Sequence, residues 1–140
     1  MRRFVIGVAL ALASCGPAPD LESQLTITQG LYGQLTKRCD GDGCVGAPLE
    51  GTPVGWFSTS PWSTDGGVDP APLQETKSGK NGLYEFPIES NTKGYVAVGQ
   101  LEPTTGVHWL TATSVTVPKG LARVDWRGGP GPEGTWTDVR

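Results

Sequence analysis

The sequence predicts an all-β protein, a single β-sandwich of about seven strands. Glycine (21) and proline (12) together make 33 of the 140 residues and cut the chain into short apolar runs. Those runs alternate apolar and polar side chains, the period of two that turns one face of a strand to a core. Beyond the N-terminal leader few stretches carry the 3.6-residue period of an amphipathic helix, and no internal repeat is present. Many short runs with turn residues between them specify two packed sheets.

The chain opens "MRRFVIGVALALASCGPAPD". Arg2 and Arg3 make a positive start, and Phe4 to Ala13 an apolar segment of ten residues. That length fits a secretory signal, whose apolar region is roughly 7–15 residues, and falls short of the roughly 20 a spanning helix needs. Leu12-Ala13-Ser14-Cys15 resembles the bacterial lipobox, in which small residues precede a cysteine that is acylated, with chains such as palmitate, and becomes the first mature residue. A secretory signal followed by a coincidental cysteine is the plainer alternative. Gly16-Pro17-Ala18-Pro19 ends any helix. The expectation is therefore a signal peptide over residues 1–14, lipidation at Cys15 and a tether over 15–24. Acyl chains contribute about 0.8 kcal/mol per buried CH₂, so two or three hold a protein firmly at a membrane. Gly16 stands where the enteric inner-membrane pattern has aspartate, which points to the outer membrane of a bacterial envelope.

From Cys15 onward 126 residues remain, enough for one domain. Loss of Arg2 and Arg3 leaves nine basic side chains against fourteen acidic ones, a net charge of −5. No basic stripe exists to displace counterions from a phosphate backbone, so nucleic acid is not the expected partner. Anionic lipid has no polybasic patch to meet either.

The strands follow in order over residues 25–127. "LTITQGLYGQL" puts Leu25, Ile27, Leu31 and Leu35 on one face, with Thr26, Thr28, Tyr32 and Thr36 opposite. "TPVGWFS" is the second run, with Val54 and Trp56 on a common face, and Ser58–Pro72 reads as a long exposed loop. "LQETK" and "LYEFPI" flank Ser78-Gly79-Lys80-Asn81-Gly82, where Asn-Gly signals a hairpin turn. Pro87 lacks a ladder donor and places its strand at an edge or an end. "GYVAVGQL" and "VHWLTATSVTV" come next, the latter with Val107, Trp109, Val115 and Val117 on one face, and "LARVDW" closes the set. Residues 128–140 lose all periodicity and read as a flexible Gly/Pro-rich tail.

The order of these motifs is similar to carboxypeptidase regulatory-like domains. Gly46, Pro48, Leu49, Gly51 and Val54 match the family's Gly-x-Pro-Leu-x-Gly-x-x-Val entry to the second strand. Asn81-Gly82-Leu83-Tyr84-Glu85-Phe86 and Gly94-Tyr95-Val96-Ala97-Val98 match two later strands in order. The resemblance spans residues 29–127 and implies a transthyretin-type (prealbumin) sandwich used as a non-catalytic module. The chain departs from the pattern at Cys39/Cys44 and in the Ser58–Pro72 loop.

With Cys15 assigned to lipid, Cys39 and Cys44 are an even pair in a disulfide-permissive space. They flank Asp40-Gly41-Asp42-Gly43, whose glycines let the chain turn back, and read as a local disulfide staple. Zinc requires four ligands, and a redox pair prefers C-x-x-C at a helix start. An EF-hand frame begun at Asp40 puts Val45 where glycine is needed and Gly51 where glutamate is needed. An irregular calcium site at Asp40 and Asp42 is the weak remaining metal alternative. No cofactor is implied.

His108 is the single histidine. A triad with Ser114 and an aspartate has no local signature behind it, and no phosphate loop or paired carboxylates appear. The expectation is thus no enzyme, with a small envelope enzyme using His108 as a minor alternative. Trp56, Trp109 and Trp126 lie within strand runs and read as packing residues. Trp62, in "STSPWSTDGGVDP", sits on a loop where an exposed ring invites a sugar face or a partner chain; Trp136 in the tail is ambiguous. The functional expectation is a lipid-anchored envelope protein whose sandwich is a structural or interaction module, possible partners being another envelope protein or a glycan. A carbohydrate or other ligand module built around Trp62 is the alternative.

Overall fold

The computed structural model describes residues 20–39, 46–63, 66–128 and 136–139. Among these, nine strand segments form two sheets: β1 (Gly30–Lys37), β2 (Pro53–Phe57), β3 (Gln74–Lys77), β4 (Leu83–Pro87), β5 (Thr92–Glu102), β6 (Gly106–Val117), β7 (Leu121–Arg123), β8 (Asp125–Gly128) and β9 (Thr137–Val139). One sheet runs β4-β1-β8-β9, with β7 also beside β1, and the other runs β3-β2-β5-β6. The protein is a β-sandwich. Leu31, Leu35, Val54, Val96, Val98 and Val117, all fully buried, meet between the layers with Trp56, Tyr84 and Trp126.

β7 and β8 are one line of chain running parallel to β1 in a single register, Gly30 opposite Leu121 and Leu35 opposite Trp126. The ladder breaks for one step at Val124. There the Val124 amide still donates to the Tyr32 carbonyl at 2.9 Å. The Val124 carbonyl, however, accepts from the Tyr84 hydroxyl at 2.5 Å, and the Gln34 amide donates to the Asp125 carboxylate at 2.9 Å. A regular parallel ladder would have joined those two backbone groups to each other. Two side chains take over their partners, and no orphan is created.

Several sequence expectations change here. β1 begins at Gly30 rather than Leu25, because residues 20–29 are engaged otherwise. Asp20 starts a 3-10 turn over Glu22–Gln24, accepting from the Glu22 amide through Oδ1 and from Ser23 Oγ through its carbonyl. Both faces of β1 are buried, Tyr32 and Thr36 included, since that segment and the Pro48 bridge cover the outer side. The tether expected over 15–24 is therefore docked from Asp20 onward.

The Asn81-Gly82 turn exists but joins two sheets instead of making a hairpin: β3 pairs with β2, and β4 pairs with β1. Ser78 fixes one side, donating from its amide to Thr52 and from its hydroxyl to Leu49 while accepting from Thr52 and Gly51. On the other side the Leu35 amide donates to Gly82. Gly82 has φ +75°, and a Cβ there would lie 2.3 Å from the Leu35 carbonyl oxygen, so glycine is required for a corner this tight.

On β6 the predicted common face is split. Val98 pairs with Thr111 and Gly99 with Trp109, which leaves Leu110 as an extra residue in a bulge. Val115 and Val117 remain on the core face and Leu110 packs there too, whereas Val107 and Trp109 turn to the outside of the sheet. The Trp109 ring meets Phe57 edge-on at 5.2 Å and lies over Gly55.

The C-terminal expectation also changes. Residues 129–135 lie outside the described set, but Trp136 is buried in the core at 8% exposure and β9 pairs antiparallel with β8. The large indole supplies enough apolar area to hold the returning chain. With β7–β8 counted as one, the seven predicted strands become eight.

Candidate functional site

Of the residues singled out by sequence, Cys15, Asp40, Asp42 and Cys44 lie outside the described residues. Cys39 is the last described residue before that gap. The chain on its two sides is held together: the Lys37 amide donates to Ala47 at 2.8 Å, and Thr36 bridges Pro48. Leu49 then donates to Leu35 at 2.9 Å. The loop bearing Cys44 thus leaves and rejoins the sandwich beside one strand, which suits a short cross-link.

Trp62 stands out among the five tryptophans, exposed at 40% where Trp56, Trp126 and Trp136 are buried. Its loop is locally built. Pro61 is buried, the Trp62 amide donates to Ser60 Oγ at 3.3 Å, and the Ser63 amide donates to Asp69 Oδ1 at 2.7 Å. The same stretch exposes Val68 and Leu73. The indole is therefore presented next to a buried Pro61 and two local hydrogen bonds.

A cavity of about 370 Å³ lies elsewhere, between Gly51, Pro53, Gln100, Leu101, Leu110 and Trp136. It lies where the β5–β6 hairpin runs past β2, and neither Trp62 nor His108 lines it. The volume falls in the small-molecule range. Sequence reasoning missed it because its walls come from the Leu110 bulge and the returning Trp136, neither of which has a local sign.

His108 is exposed on β6 opposite Gln100. Ser114 lies six positions along the same strand, roughly 20 Å away at the strand rise, and on the other side of the bulge. Ser114 pairs with Tyr95 on the outer face, so the two side chains point to opposite faces. They are not brought together. Among the described residues no group of three or more His, Cys, Asp and Glu side chains could hold a metal ion. Trp126 Nε1 is buried without a hydrogen-bond partner among the described residues.

A charged cluster lies on the outer face of the β4-β1-β7 layer. Tyr32 donates to Glu22 Oε1 at 2.8 Å, and the Arg123 guanidinium sits 5.6 Å from the Tyr32 ring centre while pairing with Asp125 at 3.0 Å. Burial, followed by the hydrogen bond and charge of Glu22, raises the Tyr32 phenol above its ordinary range. The Asp125 carboxylate holds the Arg123 proton more tightly still. Tyr32 is only 3% exposed and roofed by residues 20–29, so no substrate reaches it and the cluster serves to dock that segment. No family model, curated protein or solved structure matches this chain.

Proposed function

We propose that this is a lipid-anchored protein of the bacterial cell envelope, on the outer membrane, whose β-sandwich is a structural or interaction module and not an enzyme. The observation that carries the reading is Leu12-Ala13-Ser14-Cys15 at the end of the ten-residue apolar segment Phe4–Ala13, with two arginines before it. In support, the sandwich is engaged as early as Asp20, which leaves a short stretch after Cys15. The motif order of residues 29–127 favours a module of the carboxypeptidase regulatory-like kind, with Cys39–Cys44 as a staple on the loop after β1. Changing Cys15→Ser and fractionating the cells tests the anchor. The parent protein is expected in the membrane fraction, released by detergent, and the variant in the soluble fraction. Identical partitioning of both would contradict the reading.

The exposed Trp62 favours a second reading, in which the same anchored module binds a glycan or a partner chain through that ring. Loss of retention on a glycan column in Trp62→Ala supports it. Unchanged retention removes it.

A further inference from the structure

Residues 20–29 do more than lead into β1. They cross the outer face of the β4-β1-β7 layer and are fixed along their whole length. Leu21 is buried, and Glu22 takes the Tyr32 hydroxyl. Gln24 Oε1 accepts from Asn81 at 2.7 Å. The Thr26 amide and hydroxyl both donate to the Glu85 carboxylate, at 2.9 and 2.6 Å. Gln29 donates to the carbonyls of Ile88 and Pro118 and accepts from the Gly120 amide. Tyr32, Glu85 and Arg123 share a register row on β1, β4 and β7, facing away from the core.

We propose that this face is the one the protein turns toward the lipid bilayer, with the docked segment 20–29 acting as a rigid mount. The proposal rests on the lipid-anchor reading of Cys15. From Cys15 to Asp20 is five residues, which span at most about 18 Å. Had the chain been undocked as far as Gly30, fifteen residues would have spanned about 50 Å. A domain of this length has a radius of gyration of about 14 Å, hence a width of roughly 36 Å. The leash is shorter than the body it holds. The mounted face stays near the headgroups, and the outer face of the β3-β2-β5-β6 sheet, with Phe57 and Trp109, looks away. The Trp62 loop, which leaves the end of β2, starts from that distal sheet. The mounted face carries charges of both signs, so the covalent anchor and not a basic patch supplies the attraction.

The test uses full-length acylated protein in vesicles with an acceptor dye on the lipid headgroups. An azide-bearing residue in place of Arg127, exposed on the outer face of the mounted sheet, or of Lys93, exposed on the opposite face, takes a donor dye. The two positions differ in height by at least the ~10 Å between packed sheets. Energy transfer is expected to be stronger from position 127. Inserting a Gly-Ser stretch of about twenty residues between Pro19 and Asp20 adds a mean reach of about 25 Å and leaves the domain untouched. The difference should then collapse. Equal transfer from the two positions in acylated, vesicle-bound protein overturns the proposal and leaves the anchor standing. Protein that carries no acyl mass and does not float with vesicles overturns both.

Discussion

Tyr84→Phe removes one oxygen atom from the interior and tests how the sandwich closes its broken ladder. The Tyr84 hydroxyl is the partner of the Val124 carbonyl, and both residues are buried. Losing such a bond costs about 0.5–1.5 kcal/mol net, and a buried carbonyl left without a donor costs about 1–3 kcal/mol. The ring itself stays, so no cavity forms, and a loss of about 2 kcal/mol is expected. A domain of this size should then melt roughly 6–12 °C lower, at about 3–6 °C per kcal/mol. Tyr32→Phe is the control. Its hydroxyl meets the exposed carboxylate of Glu22, which water can solvate, so the loss should stay below about 1 kcal/mol. Urea unfolding followed by tryptophan fluorescence measures both, with an unchanged m-value as the sign that only stability has moved. A loss under about 0.5 kcal/mol in Tyr84→Phe would refute the reasoning. It would mean that the Val124 carbonyl had recovered the Gln34 amide and closed the ladder.

Three further outcomes are expected. The Tyr32 phenol is held above its ordinary value of 10.0, so it contributes stability below that pH and loses it as pH rises through the folded value. Urea unfolding across that range should show stability falling less steeply in Tyr32→Phe than in the parent; parallel curves would contradict this. Trp136→Ala should cost about 3–5 kcal/mol, the range for a buried tryptophan, whereas a loose tail would make it neutral in the same assay. Replacing Cys39 and Cys44 together by serine should cost about 2 kcal/mol on the chain-entropy model, and reduction of the parent should reproduce that loss. No change on reduction would argue against the staple.

The sandwich was legible because its signal is local. Alternation over β2, β4, β5 and β6 and the Gly/Pro punctuation between them are enough to specify strands, though not the eighth, which Trp136 and β9 add. What escaped depends on partners distant in sequence. Leu25 and Ile27 alternate like a strand, yet Thr26 and Gln29 find Glu85, Ile88 and Pro118 and dock that stretch across the outside of the sheet. Asn81-Gly82 makes its turn, but Ser78 binds one sheet and Gly82 the other, and the local signal cannot say which strands a turn connects. One inserted residue, Leu110, reverses the faces of Val107 and Trp109, as any slip in a period of two must. Trp136 was visible as an apolar residue in a stretch without periodicity, and only the core and the Pro53 cavity wall that it joins give it a place. For the candidate site, Trp62 was readable because a turn-rich loop has no core to bury a ring, whereas the cavity near Gln100 arises from the bulge and the returning chain.

Whether Cys15 carries the lipid that places this sandwich at a membrane decides the proposed function. The intact mass of the native protein, extracted from membranes and alkylated with and without prior reduction, tests it most directly. A mass equal to residues 15–140 plus acyl chains, with two thiols alkylated only after reduction, is the predicted result. A mass without acyl chains would contradict the claim and make the protein a soluble secreted one.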